Sequence, residues 1–359
     1  MQIRINLEWR VGPEADSAVR FDADVFRILR GIAEGGSVRA AAAATGLSYR
    51  HVWGLLQRWE GIFGAPLATL ERGRGATLTA LGERLLWAEA RVEGRLSPDL
   101  ANLATEVERE LAAVLAGAGP PVLRVQASHG LAIALLRDML RQESLIELDL
   151  QFRGSLECLR SLTAGRCEMA GFHVPEGRLA RRVAGHYRRY VDPRQHELVH
   201  IVTREQGLML PPGNPKAVLG LDDLLRPDIA IVNRHQGSGS RLVFDEVLAD
   251  ARIPPAAIRG YELEEYTHLA VAALVAGGAA DTAFGIRAAA ARFGLEFLPL
   301  LRERYLFAVR RDDLALPQVR ECLRVIQSDA FRTRVKDLPG YDAEGSGRLL
   351  PVEEVLAGF

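Results

Sequence analysis

"DIAIVNRHQGSGSRLVFDEVL", residues 228–248, decides how the second half of this chain is read. A short apolar run, Ile229 to Val232, gives way to Gly237, Ser238, Gly239 and Ser240, and then to an amphipathic helical run. The first turn of a helix has backbone N–H groups without partners and a partial positive charge, and glycine lets a ligand approach them closely. Serine hydroxyls add neutral donors. The stretch is therefore either an ordinary helix cap or one wall of an anion site. It is not a nucleotide phosphate loop, because that motif's Lys-Ser/Thr ending is absent.

The same plan recurs on both sides of this stretch. "PVLRVQASHGLAIALLRDML" (121–140), "IELDLQFRGSLECLRSL" (146–162) and "YELEEYTHLAVAALVAGG" (261–278) each run from strand to helix through small polar residues. Alternation of this kind predicts an α/β fold with mostly parallel strands, and such sheets bind ligands at the carboxyl ends of their strands. Ser128, Ser155, Ser238, Ser240 and Thr267 all fall there, which predicts a cup of hydroxyl and amide donors around a small anion. The alternative is that all are routine N-caps. Gly239 allows close backbone approach. Arg241 is placed either to pair with the anion bidentately or to pair with Asp245 one helical turn on. His129, His173 and His268 sit at or near the junctions as further donors.

Residues 21–97 read differently. "FDADVFRILRGIAEGG" (21–36) is an amphipathic helix with Val25, Ile28, Leu29 and Ile32 on one face. Ser37 caps "VRAAAAAT", and after Gly46-Leu47, Ser48 caps "YRHVWGLLQRWEGIF" (49–63), whose inward stripe is Val52, Leu55, Leu56 and Trp59. Two helices joined by a short glycine-containing turn have the outline of a helix-turn-helix. The alanines let the first helix pack closely, and the second then projects Tyr49, Arg50, His51, Gln57 and Arg58, side chains able to reach bases and phosphates in a major groove. "PLATLERGRGATLT" (66–79) follows as a hairpin with Arg72 and Arg74 at its tip. Two helical stretches broken at Ser97-Pro98 come next. Leu81, Leu85 and Trp87, and later Leu100, Leu103, Val107 and Leu111, give them apolar stripes longer than a linker needs.

These residues carry a resemblance. Gly36-Ser37, the alanine run, Ser48-Tyr49-Arg50, Trp53, Gly64-Ala65-Pro66-Leu67, the wing, Leu78-Thr79 and Gly82 resemble the winged helix-turn-helix of the molybdate-responsive repressor family, which is related to LysR-type regulators. The wing departs in being poorer in glycine. The resemblance implies DNA contacts from Ser37, Ser48, Tyr49, Arg50, His51, Trp53, Arg58, Arg72 and Arg74, and a homodimer made by the long helix. The later segments, including Gly154-Ser155-Leu156, "VNRHQGSGSR" and "THLAVAALVAGG", resemble a type II periplasmic-binding-protein fold. That implies two lobes, with the chain crossing between them near Thr203–Gly207 and again near Arg302–Tyr305. It also implies tetrahedral oxyanions as ligands.

The expected architecture is thus an α+β winged helix-turn-helix domain at 1–95, a linker and dimerisation helix at 96–121, and an α/β two-lobed sensor domain at 122–359. At 359 residues, two or three domains are expected. A net charge of −1 excludes a strongly basic coat but not a local basic face. Cys158, Cys167 and Cys322 have neither disulfide nor zinc spacing. No run approaches the ~20 apolar residues that span a bilayer, and no signal core follows the N-terminus, so a cytoplasmic protein without a membrane partner is expected. No nucleophile elbow or paired-histidine motif marks an enzyme, and no bound cofactor or metal is expected. The expected function is a one-component transcriptional regulator that binds double-stranded DNA as a homodimer and senses molybdate or tungstate. Two alternatives are a larger ligand, such as a pterin-linked molybdenum cofactor or an organic acid, and a cleft hydrolase or transferase with an N-terminal interaction module.

Overall fold

The structure, a computed structural model, describes residues 3–12, 18–71, 75–115 and 121–356. Contacts divide the chain into one unit of residues 6–93 and another of residues 1–5 and 94–359.

In the smaller unit, strands β1 (Arg10–Val11) and β2 (Val19–Arg20) precede helices α1 (Ala23–Gly35), α2 (Val38–Thr45) and α3 (Tyr49–Phe63). The wing is β3 (Ala68–Glu71) paired antiparallel with β4 (Gly75–Leu78). Helix α4 (Ala80–Leu115) begins here. Val25, Ile28, Leu29 and Ile32 of α1 meet Val52, Leu56 and Trp59 of α3 in one core. Ser37 and Ser48 cap their helices as expected, accepting from the N–H groups of Ala40 and His51. The alanine run works by proximity: a Cβ on Gly31 of α1 would lie 2.7 Å from the Ala41 Cα.

Two expectations fail in α4. Ser97-Pro98 does not break it, and Leu81 and Leu85 do not form a free stripe. The proline forfeits one backbone bond, to the Gly94 carbonyl, at a cost of about 3 kcal/mol. Packing on both sides offsets that loss. Leu81, Leu85 and Leu86 are spent on the helix-turn-helix core. Further along, the Asn102 amide donates to the Phe152 carbonyl (3.0 Å) and its oxygen accepts from the Phe152 N–H (2.6 Å).

The larger unit contains β5 (Val122–Ala127), α5 (Leu131–Glu143), β6 (Glu147–Phe152), α6 (Ser155–Thr163), β7 (Met169–Pro175), α7 (Leu179–Tyr187) and the 15-residue β8 (His196–Leu210). Next come β9 (Ile231–Arg234), α8 (Gly239–Asp250), β10 (Glu264–Glu265), α9 (His268–Ala276), β11 (Thr282–Ile286), α10 (Arg287–Arg292) and a second 15-residue strand, β12 (Glu296–Arg310). The chain ends with α11 (Pro317–Ile326), α12 (Asp329–Lys336), β13 (Tyr341–Asp342), β14 (Leu349–Leu350) and α13 (Val352–Val355).

One sheet in the order β10-β9-β11-β8-β12-β7-β5-β6 joins two lobes. β6, β5 and β7 are parallel, as are β10, β9 and β11. Between these blades β8 and β12 run antiparallel to each other, so the chain crosses between lobes twice. The crossings contain Thr203–Gly207 and Arg302–Tyr305, where the resemblance put them. The molecule is an N-terminal helix-turn-helix domain followed by a two-lobed α/β domain.

Candidate functional site

Helices α5, α6, α8 and α9 all begin beside the paired strands β8 and β12. Side chains two residues apart on a strand share a face, so Arg204 and Gln206 of β8 project together, as do Glu303 and Tyr305 of β12. These four form the floor. The helix starts form the walls. α5 and α6 start after Gly130 and Gly154 with no side chain capping them.

Of the hydroxyl residues, Ser128 and Ser240 reach this floor, and the others are placed differently. Ser128 Oγ bonds His173 Nε2 at 2.7 Å. Ser240 Oγ lies 3.2 Å from His268 Nε2 and accepts from Gln206 Nε2 at 3.3 Å. Ser155 is buried, and its Oγ has no hydrogen-bond partner among the described residues. Ser238 and Thr267 are N-caps, accepting from the N–H groups of Arg241 and Ala270. Gly239 is required: a Cβ there would stand 2.6 Å from Ser155 Oγ and 2.7 Å from the His173 ring. Gly154 likewise meets the Gly237 carbonyl across the cleft.

Arg241 belongs elsewhere. Its Nε donates to Asp245 (3.1 Å), its Nη1 to Glu264 (2.9 Å), and its guanidinium lies over the Tyr261 ring. Asp245 was legible as a partner one turn on, whereas Glu264 comes from β10 and was not.

The charge of the cup comes from residues that sequence reasoning missed. Arg204 and Glu303 are buried together, Nε to Oε1 at 2.6 Å, and Arg204 also reaches the His173 ring at 3.2 Å. Arg234, at the end of β9, is 5% exposed. It donates to the Tyr266 carbonyl at 2.7 Å, has a partnerless Nε, and makes no carboxylate ion pair among the described residues. Burial, and then the nearby Arg204 charge, push the Arg234 guanidinium down to about 9. Of the two guanidiniums only Arg204 has a carboxylate partner among the described residues, Glu303. The histidines add no charge: burial, then Arg204 and Arg234, hold His173 well below its usual range, and burial and then Arg234 do the same to His268. His129 is half-buried against Phe152, its pKa lowered to about 4 by burial and then Arg234. A buried cation without a counter-charge is costly, and an anion entering the cup would relieve it. The signal was available as a charged and an amide residue, Arg204 and Gln206, set two apart on one face of a long strand-like run.

In the helix-turn-helix unit, Tyr49, Arg50, His51 and Gln57 stand exposed on α3, and Trp53 is half-buried. Arg58 is exposed but tied to Asp22 at 3.1 Å, the same carboxylate oxygen that accepts from Trp59 Nε1. Arg72 and Arg74 lie outside the described residues. Among the described residues no group of histidine, cysteine and carboxylate side chains has metal-binding geometry, and no helix is long and apolar enough to cross a membrane.

Two protein families match the chain: PBP superfamily domain over residues 136–327, and bacterial regulatory helix-turn-helix protein, lysR family, over residues 24–83. The uncharacterized protein YvgK of Bacillus subtilis (strain 168) is 30% identical over 201 residues, which are 56% of this chain and 64% of that protein, so the chain spans less than two thirds of YvgK. The molybdenum-pterin-binding protein MopB of Rhodobacter capsulatus is 31% identical over 105 residues, 28% of this chain and 39% of MopB. Among solved structures, CbnR, a LysR family transcriptional regulator, aligns with a TM-score of 0.39 and 19% identity, covering 84% of this chain and 99% of that one.

Proposed function

The chain belongs to the PBP superfamily and has the build of a lysR-type regulator with a PBP-like ligand-binding domain, not that of an enzyme; from that premise we propose that it is a one-component transcriptional regulator whose cup takes a small oxyanion. One observation supports the ligand class: Arg234 is buried with its Nε partnerless and no carboxylate ion pair among the described residues, while the charges that act on it are those of Arg204 and Glu303, already paired with each other. Molybdate and tungstate are the oxyanions that the helix-turn-helix resemblance nominates. The protein binds double-stranded DNA through α3 as a homodimer, in the cytoplasm.

Helix α4 supplies a route from ligand to DNA. Within the larger unit Asn102 bonds Phe152 of one lobe, while Gly94 lies against Thr267 and the Ala270 N–H of the other, and Arg95 covers the Tyr266 ring. Closure of the lobes around an anion changes the spacing between those anchor points. A second reading, a larger ligand such as a pterin-linked molybdenum cofactor or an organic acid, is favoured by the partnerless acceptors in the cup.

The test is a thermal-shift series with molybdate, tungstate, phosphate and sulfate on the full chain, followed by operator selection from random duplex DNA. A ligand that binds only the native state raises its stability by RT ln(1 + [L]/Kd). No shift with any of the four refutes the oxyanion assignment, and purely sequence-independent DNA binding at physiological salt refutes the regulator assignment.

A further inference from the structure

Glu303 sets a condition on the ligand. Its Oε1 accepts from Arg204 Nε at 2.6 Å and stands 3.5 Å from His173 Nδ1. Its Oε2 is fully buried and accepts from nothing among the described residues. An ionised carboxylate only accepts, so no rotation or tautomer within the side chain supplies what Oε2 lacks. The neighbouring Gln206 Oε1 is also without a donor, although that amide can be turned, and so the argument rests on Glu303. At the end of β9, close enough for the charges of Arg204 and Glu303 to act on it, Arg234 Nε is a buried donor lacking an acceptor. The cup therefore asks for two things at once: negative charge for the guanidinium, and a hydrogen-bond donor for the carboxylate.

We infer that the ligand of this cup is an oxyanion that also carries an O–H, one part facing Arg234 and the hydroxyl donating to Glu303 Oε2. The inference rests on the oxyanion-sensor reading and narrows it. A fully deprotonated oxyanion, molybdate, tungstate and sulfate among them, offers only acceptors, and would set its own oxygens against the Glu303 carboxylate. Phosphate near neutral pH keeps at least one O–H. Among carboxylates, a hydroxy acid has the hydroxyl that its simple counterpart lacks. A site with a buried polar group discriminates steeply against an analogue that leaves the group unpaired.

Calorimetric titration of the full chain at pH 7 with two matched pairs tests this: inorganic phosphate against sulfate, and glycolate against acetate, with molybdate and tungstate alongside. The O–H-bearing member is expected to bind tenfold or more tightly in at least one pair, and which pair responds tells a phosphate-type ligand from a hydroxy acid. Glu303→Gln puts an amide donor in place of the second oxygen, so the preference should fall to threefold or less and the donor-free anion should gain. If the variant does not fold, the wild-type pairs decide alone. Sulfate, molybdate or tungstate binding as tightly as phosphate, and acetate as tightly as glycolate, overturns the inference and leaves the oxyanion reading standing. A preference that survives in a folded Glu303→Gln variant overturns the role of Glu303. Binding by none of the probes overturns both readings.

Discussion

Arg204 and Glu303 are directly opposed residues on the two strands that cross between the lobes, and their side chains meet at 2.6 Å in the interior. Breaking such a pair by removing one partner is far costlier than removing both, because the survivor keeps its desolvation penalty. Arg204→Met should lower stability by about 3–5 kcal/mol in chemical denaturation. The double variant Arg204→Met/Glu303→Leu should recover most of that loss. A double variant as unstable as the single one would show that packing at the crossing, and not charge, is what the pair supplies.

Arg234 should behave in the opposite way. Its charge is buried without a carboxylate of its own, so the ligand-free protein carries an unrelieved cost there. Arg234→Met is expected to leave the ligand-free stability unchanged or raised, while weakening anion binding a hundredfold or more. Arg241→Ala should show the reverse pattern, losing stability through Asp245 and Glu264 with anion affinity altered less than threefold. If Arg241→Ala abolishes binding and Arg234→Met does not, the site has been assigned to the wrong arginine.

That exchange of arginines marks how far the sequence could be read. Ser128, Ser155, Ser240 and Thr267 are legible because strand-to-helix junctions leave a local signature, and the fold brings Ser128, Ser155 and Ser240 to the middle of the sheet, where the two lobes meet. Arg204 and Glu303 stand nearly a hundred residues apart on strands whose central position follows only from the strand order, so each looked like an ordinary polar residue on a crossing segment. Arg234 lies inside residues 228–248, but Arg241 has the more obvious place in the first turn of a helix, and the carboxylate that claims Arg241 comes from another strand. Pro98 misled for a similar reason, since a proline's local cost says nothing of the anchoring on either side of it.

The histidines of the cup give a dependence on pH. His129, His173 and His268 all have folded pKa values below the unfolded value of about 6.5, with His129 near 4. The folded state therefore binds fewer protons than the unfolded state between those values. Stability from this source is complete above about pH 6.5 and is lost as pH falls toward 4. The thermal midpoint of the ligand-free protein should drop steadily from pH 7 to pH 5. A midpoint that stays flat or rises over that interval would mean the three rings do not stay neutral in the fold.

The exposed side of α4 yields a prediction about assembly. Leu103, Val107, Leu111 and Val114 are 49%, 37%, 39% and 84% exposed, and they recur at helical spacing along one face. Leu81 and Leu85 are already used in the helix-turn-helix core, so this later stretch is where a second copy would have to dock. Val107→Glu/Leu111→Glu should turn the proposed homodimer into a monomer in sedimentation with the thermal midpoint of the chain nearly unchanged, because both positions face solvent. Specific DNA binding should fall by more than tenfold, since a palindromic site engages two recognition helices together. A variant that stays dimeric moves the interface off this helix.

Asn102 tests whether the same helix also reports on the ligand. Its amide makes two bonds to the backbone of Phe152, at the end of β6, and Gly94 eight residues earlier contacts the start of α9 in the other lobe. Coupling between two sites is a free energy, and it disappears when the element that senses both states loses its grip on one of them. Asn102→Ala removes the bonds to one lobe and leaves every residue of the cup in place. Anion affinity should therefore stay within threefold of the parent, while the change in DNA affinity caused by saturating anion should shrink by fivefold or more. Measuring both quantities on one preparation separates the outcomes: loss of anion binding would make Asn102 part of the cup's own support, and an undiminished DNA response would show that the signal leaves the sensor by another path.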